Sequence, residues 1–199
     1  MTDIIPFFPS LIIKHDTKPE FDGIKEPLIK AIYREMEKTE GVKRSNAGGW
    51  QSDAYIFHTL EFSKISRFVM KHSRQALSHV FKPGFKLMPK GAWINVNGKD
   101  CFNEPQVHPE CDIAGVFWID VPPDSGDLVL FNNKSVYSNF RCLDKATDSV
   151  KSEFKYSVAW DVPAVSGEMI FFPADMEHKV NINNSSENRI SIAFNLSLG

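Results

Sequence analysis

Residues 189–198 read RISIAFNLSL. Successive side chains of a strand point to opposite faces. One face of this stretch would carry Ile190, Ile192, Phe194 and Leu196, and the other Arg189, Ser191, Ala193 and Asn195. The stretch AWINVN, residues 92–97, divides the same way, with Ile94 and Val96 opposed to Trp93, Asn95 and Asn97. An apolar face that packs under helices leaves the polar set to line an interior pocket. The simpler reading, polar faces toward water, would suffice for either strand alone. Two strands carrying Asn, Ser and Arg together favour a pocket.

The neighbouring sequence has the same character. GAWINVN, DIAGVFWID, GDLVLFN, KYSVAWDV, GEMIFF and HKVNI are short and rich in Val, Ile, Phe and Trp, with Gly, Pro, Asn and Asp between them. Many short punctuated strands predict a sandwich or barrel. Before Pro83 the period changes. Ile24, Leu28, Ile32 and Met36 recur at helical spacing, with Gly41 as a stop. A second helix is expected over residues 62–81, with Phe62, Ile65, Val69, Ala76 and Val80 near one face. Its His72 and His79 are expected to face solvent or to be hydrogen-bonded. The fold class expected is α+β, mainly β, in one domain over residues 1–199. Residues 1–82 form a helical part packed on one side of a strand-built core at 83–199.

Bulk properties narrow the function. The 199 residues suit a sizeable core, and 42% are hydrophobic against 24% charged. A net charge of -2 offers no basic field, which argues against nucleic acid. No apolar run has the length of a membrane span, and the start lacks the basic lead of a signal peptide. Three cysteines without a CxxC pair point to a reducing cytoplasm.

The chemistry-bearing residues begin at QVHPECD, residues 106–112. His108 and Glu110 would share a side if the stretch is a strand, giving one nitrogen and one oxygen ligand. Two ligands do not make a site, and HxE occurs by chance. His178 opens a later strand and would add a second imidazole. Two histidines and a carboxylate on one triangular face leave three open positions, the arrangement of non-haem Fe(II) oxygenases. Arg189 and Ser191 follow on one face. A planar guanidinium fork with a hydroxyl suits a carboxylate, although a strand-edge salt bridge is the commoner fate of an arginine. Asn95 and Trp93 lie on the presumed inner face, where Asn95 would touch a ligand and Trp93 would pack. Tyr137 and Arg141 fall in a connection that would either cover the pocket or lie exposed.

GGWQS, WINVNG, AGVFWIDVPPDSGDLVLFN, GEMIFFPADMEHKV and NRISIAFN together resemble the Fe(II)- and 2-oxoglutarate-dependent dioxygenases. The resemblance is nearest to a small bacterial and phage branch related to prolyl 4-hydroxylases. It spans roughly residues 49–196 and implies a double-stranded β-helix, or jelly roll. It also implies Fe(II) at His108, Glu110 and His178, with 2-oxoglutarate held by Arg189 and Ser191. O2 and a primary substrate, a peptidyl residue or small metabolite, complete the reaction. The product is hydroxylated at a C–H bond, and succinate and CO2 are released. Glu110 departs from the usual Asp of that motif, with Asp112 and Cys111 as neighbouring substitutes. The alternatives are a cupin-like metal enzyme, whose HxH is missing because Gln106 precedes His108 by two, and a non-catalytic jelly-roll binding module.

Overall fold

A computed structural model describes residues 10–132, 145–153 and 157–199. Two antiparallel sheets face each other as a jelly roll. The larger has the strand order β1-β9-β6-β11-β4-β3 and the smaller β2-β5-β10-β7-β8. The larger sheet comprises β1 (Ile13–Asp16), β3 (Trp50–Gln51), β4 (Leu87–Asn97), β6 (Ile113–Asp120), β9 (Glu168–Pro173) and β11 (Arg189–Leu198). The smaller comprises β2 (Asn46–Ala47), β5 (Phe102–Gln106), β7 (Leu128–Phe131), β8 (Ala159–Val162) and β10 (His178–Val180). Helices α1 (Lys18–Phe21), α2 (Lys25–Lys38) and α3 (Ser63–Leu77) precede β4, and a short α4 (Asp148–Glu153) lies between β7 and β8.

β11 is one of the two central strands of the larger sheet. It pairs with β4 on one side and β6 on the other, Ile192 standing opposite both Ile94 and Phe117. Its apolar face and those of its neighbours pack under the helices. Ile190, Ile192, Phe194, Leu196, Ile94, Val96, Phe117 and Phe171 form one buried cluster with Leu28 and Ile32 of α2 and Ile65, Val69 and Leu77 of α3. A second apolar cluster, including Val116, Trp118, Leu130, Ile170 and Phe172, lies on the other side of the sheet. Burial at about 25 cal/mol per Å² of apolar surface makes these two layers the main stabilising term.

The helix α2 buries Leu28, Ala31 and Ile32, one face at helical spacing, and places Glu26 in its first turn and Lys38 in its last, as the helix dipole favours. The first 82 residues are not only helical. They add β1 to one edge of the larger sheet through β9, β3 to the other edge through β4, and β2 to the smaller sheet through β5. The second helix is shorter than its periodicity predicts: α3 ends at Leu77, and Val80 beyond it is exposed. His72 is buried and hydrogen-bonded, with Nδ1 3.0 Å from His15 Nε2 on β1. Among the described residues no helix is long and apolar enough to cross a membrane.

Candidate functional site

The site lies between the sheets. On the inner face of β11, Arg189 stands opposite Asn97 of β4, and Ser191 stands between Asn95 of β4 and Trp118 of β6. Ala193 follows between Trp93 and Val116, then Asn195 between Gly91 and Ala114. The facing strand β10 contributes His178, and the segment leaving β5 contributes His108. One cavity is lined by His108, His178, Arg189, Ser191, Asn95 and Asn195 among others. The polar faces read from β4 and β11 therefore do turn inward.

The two histidines meet through their Nε2 atoms. Their Nε2 atoms are 3.2 Å apart, and the rings are stacked at 5.0 Å between centroids with 14° between planes. Trp93 stacks on the other side of His108 at 5.4 Å, and Phe172 meets His178 edge-on at 4.8 Å. The backbone N–H of His108 donates to Ala174 O at 2.8 Å, which ties the segment to the turn that precedes His178. Burial first, and then the neighbouring His178, push the His108 imidazole down to about 4. Burial also lowers His178, with the bond to Met176 O and the nearby Glu177 acting the other way. Both rings are neutral at pH 7. His178 Nδ1 lies 2.9 Å from Met176 O. That contact needs a proton on Nδ1, so Nε2 keeps its lone pair, the tautomer and support found in metal-ligating histidines. Two nitrogens on adjacent positions of one metal, at bonds of about 2.0–2.1 Å, are about 3 Å apart. The pair fits a first-row divalent ion.

Glu110 does not join that pair. The strand β5 ends at Gln106, and the chain turns at Pro109–Glu110, so the same-face geometry expected of a strand does not apply. Proline has no backbone N–H for a ladder, which favours the turn. Glu110 and Asp112 are both exposed. Asp112 Oδ2 accepts the N–H of Leu198 at 2.8 Å, fastening the turn to the end of β11. Cys111 Sγ lies 3.3 Å from His108 O, so it caps the turn. Among the described residues, no three His, Cys, Asp or Glu side chains converge into a group that could hold a metal.

Arg189 is 3% exposed, and its Nε and Nη1 have no hydrogen-bond partner among the described residues. Burial pulls its guanidinium down to about 10, with Asp127 acting in the opposite direction, so it stays cationic at neutral pH. A buried cation with two unmet donors calls for an anion, and a planar fork suits a carboxylate. Asn95 Oδ1 and Asn195 Oδ1, both on the cavity lining, are also buried without a partner among the described residues. Buried polar groups in folded proteins are nearly always paired, so unmet atoms beside one cavity mark where a ligand sits. Asn195 was visible in the alternation of its strand, yet its place on the cavity becomes evident only from the pairing with β4 and β6. Tyr137 and Arg141 lie outside the described residues.

The architecture recurs in solved structures. The chain is similar to a prolyl-4-hydroxylase of Pseudomonas putida, with a TM-score of 0.61 at 13% identity over 94% of this chain and 93% of that one. It is also similar to viral collagen prolyl hydroxylase of Paramecium Bursaria Chlorella virus-1, solved as a 2-oxoglutarate complex (TM-score 0.55, 12% identity, 93% of this chain and 94% of that one). A third is the epimerase SnoN, solved with Fe3+, alpha ketoglutarate and nogalamycin RO (TM-score 0.64, 12% identity, 94% and 78%). No curated protein sequence matches this chain. The profile of the family described as 2OG-Fe(II) oxygenase matches residues 91–195, more than half of the chain. The chain belongs to that family, and is an oxidoreductase on a double-stranded β-helix whose chemistry uses iron(II) and 2-oxoglutarate.

Proposed function

We propose that this enzyme hydroxylates a C–H bond of its primary substrate, with Fe(II) held by His108 and His178. The far carboxylate of 2-oxoglutarate is held by Arg189 and Ser191, beside Asn95. The observation that carries the reading is the buried Arg189, with two donors unmet among the described residues, in the same cavity as the paired imidazoles. Bound iron, with 2-oxoglutarate and O2, supplies the oxidant that inserts oxygen and releases succinate and CO2. The chain's own residues do the positioning. Arg189 offers a charged fork in a dry pocket, and Ser191 a hydroxyl two residues on along the same face. His178, fixed through Met176 O, presents a lone pair toward the same point as His108.

The primary substrate enters beside Ala193 and Ala114, small residues on the cavity lining. Asn195 Oδ1 lacks a partner there among the described residues and favours a substrate that presents an N–H or O–H donor. A peptidyl residue and a small metabolite both meet that requirement. The compartment is the cytoplasm, consistent with two half-buried free cysteines, Cys101 and Cys111.

Anaerobic calorimetry with Fe(II) and 2-oxoglutarate tests the assignment. Arg189→Met weakens 2-oxoglutarate by roughly 30-fold to several thousand-fold, the cost of truncating one member of a buried charged pair, and leaves Fe(II) binding nearly unchanged. Equal loss of iron in that variant makes Arg189 structural. Incubation of the parent protein with candidate peptides and metabolites should yield succinate together with a product one oxygen atom heavier.

A further inference from the structure

We propose that the third protein donor to the iron is the side-chain amide oxygen of Gln106. The inference rests on the reading that His108 and His178 hold the metal. Gln106 is the last residue of β5 and the direct register partner of His178 on β10. Between Gln106 and Asn103 the pairing slips: the four residues Asn103–Gln106 of β5 stand against the three residues His178–Val180 of β10. Such a bulge re-aims side chains. Here Asn103 and Gln106, of opposite parity in a regular strand, both line the cavity. The alternation then continues past the strand end. Gln106 and His108 line the cavity, while Val107 between them is 47% exposed.

The other oxygen donors nearby are otherwise placed. Glu110 is exposed in the turn, and Asp112 holds the backbone of Leu198. Asn103 Oδ1 accepts from Asn97 Nδ2 at 2.9 Å. Asn95, Ser191 and Asn195 belong to the facing sheet. That leaves Gln106 on the histidines' own sheet, adjacent to one in register and to the other in sequence. An amide carbonyl is a hard, neutral oxygen of the kind that divalent ions accept.

Neutral donors alone leave the full +2 charge of the ion uncompensated by the chain. Metal alone is therefore held less tightly than by a site with a carboxylate, and the dianionic co-substrate more tightly. Linkage makes the effect reciprocal: 2-oxoglutarate raises metal affinity by the factor by which metal raises 2-oxoglutarate affinity.

Calorimetric titration of the apoprotein with Mn(II) alone tests this. Gln106→Ala should weaken Mn(II) by about 10-fold or more, the range seen when even supporting groups of a metal site are removed. Gln106→Glu should tighten it by a similar factor of about 10, since affinity follows the charge of the ligands. A gain of affinity cannot come from misfolding, so the second variant keeps the test decisive if the first folds poorly. Glu110→Gln should bind Mn(II) as the parent does. Loss of metal in Glu110→Gln, or parent-like titration of both Gln106 variants, overturns the proposal. His178→Ala separates the two levels: if it binds Mn(II) as the parent does, the reading of the histidine pair fails, and if it loses the ion while Gln106 variants are silent, only the role of Gln106 fails.

Discussion

At the level of single residues, a side chain's meaning depends on which face it occupies. Arg189, Ser191 and Asn95 were legible because strict alternation on β4 and β11 assigns them a face without any tertiary knowledge. His108 and Glu110 obeyed the same rule on paper, but the rule holds only within a strand, and β5 ends at Gln106, before either of them. The bulge in β5 was equally invisible, because FNEPQ carries Asn, Glu and Pro and only Phe102 favours a strand. Gly115 illustrates the same dependence. A Cβ there would run into the ring of Phe194, its register partner on β11. Gly115→Ala is expected to cost about 1–3 kcal/mol through overpacking. Thermal unfolding should fall by roughly 2–4 °C for each kcal/mol lost in a chain of this size. An unchanged Tm would mean the ring can move aside freely.

Whole elements were legible in proportion to their length and periodicity. The long strands β4, β6 and β11 and the helices α2 and α3 repeat their pattern often enough to be read. β2 and β3 have two residues each, too few to show a period, and are set by pairing with β5 and β4. β1 is held in part by α3, through the bond between His15 and His72. Burial lowers both imidazoles below 6.5. Asp16 raises His15 and His79 lowers it, while Glu20 raises His72 and His15 and Lys71 lower it. Groups whose folded pKa is depressed bind fewer protons folded than unfolded, so stability rises with pH across that interval. The contribution of this contact is complete above about pH 6.5 and is lost progressively below it. His108 and His178 act with the same sign in the apoprotein. The Tm of the apoprotein should therefore drop from pH 7.5 to 5.5, and a His15→Gln, His72→Gln double variant should show a shallower drop. An equal slope in that variant would show that the pair carries no buried neutral state.

For the molecule as a whole, the site is built at the expense of the fold. Arg189 sits at the start of a central strand, 3% exposed, with Nε and Nη1 unmet among the described residues. Taking a charge out of water without satisfying it is unfavourable, and replacing a buried ion by an apolar side chain of similar volume is often neutral or stabilising by about 1–4 kcal/mol. The 2-oxoglutarate carboxylate supplies the missing acceptors, so the ligand completes the core as well as the reaction. At a concentration 100 times its Kd, a ligand adds about 2.7 kcal/mol, which corresponds to a rise of about 5–11 °C in a chain of this length. Differential scanning fluorimetry with Mn(II), anaerobically, should show that rise when 2-oxoglutarate is added to the parent. Arg189→Met removes the buried charge and the carboxylate site together. Its apo Tm should equal or exceed that of the parent, and 2-oxoglutarate should no longer shift it. A clear drop in the apo Tm would mean that Arg189 is held by Asp127, the one group that raises its pKa, and belongs to the scaffold. A retained ligand shift would place the carboxylate elsewhere in the cavity.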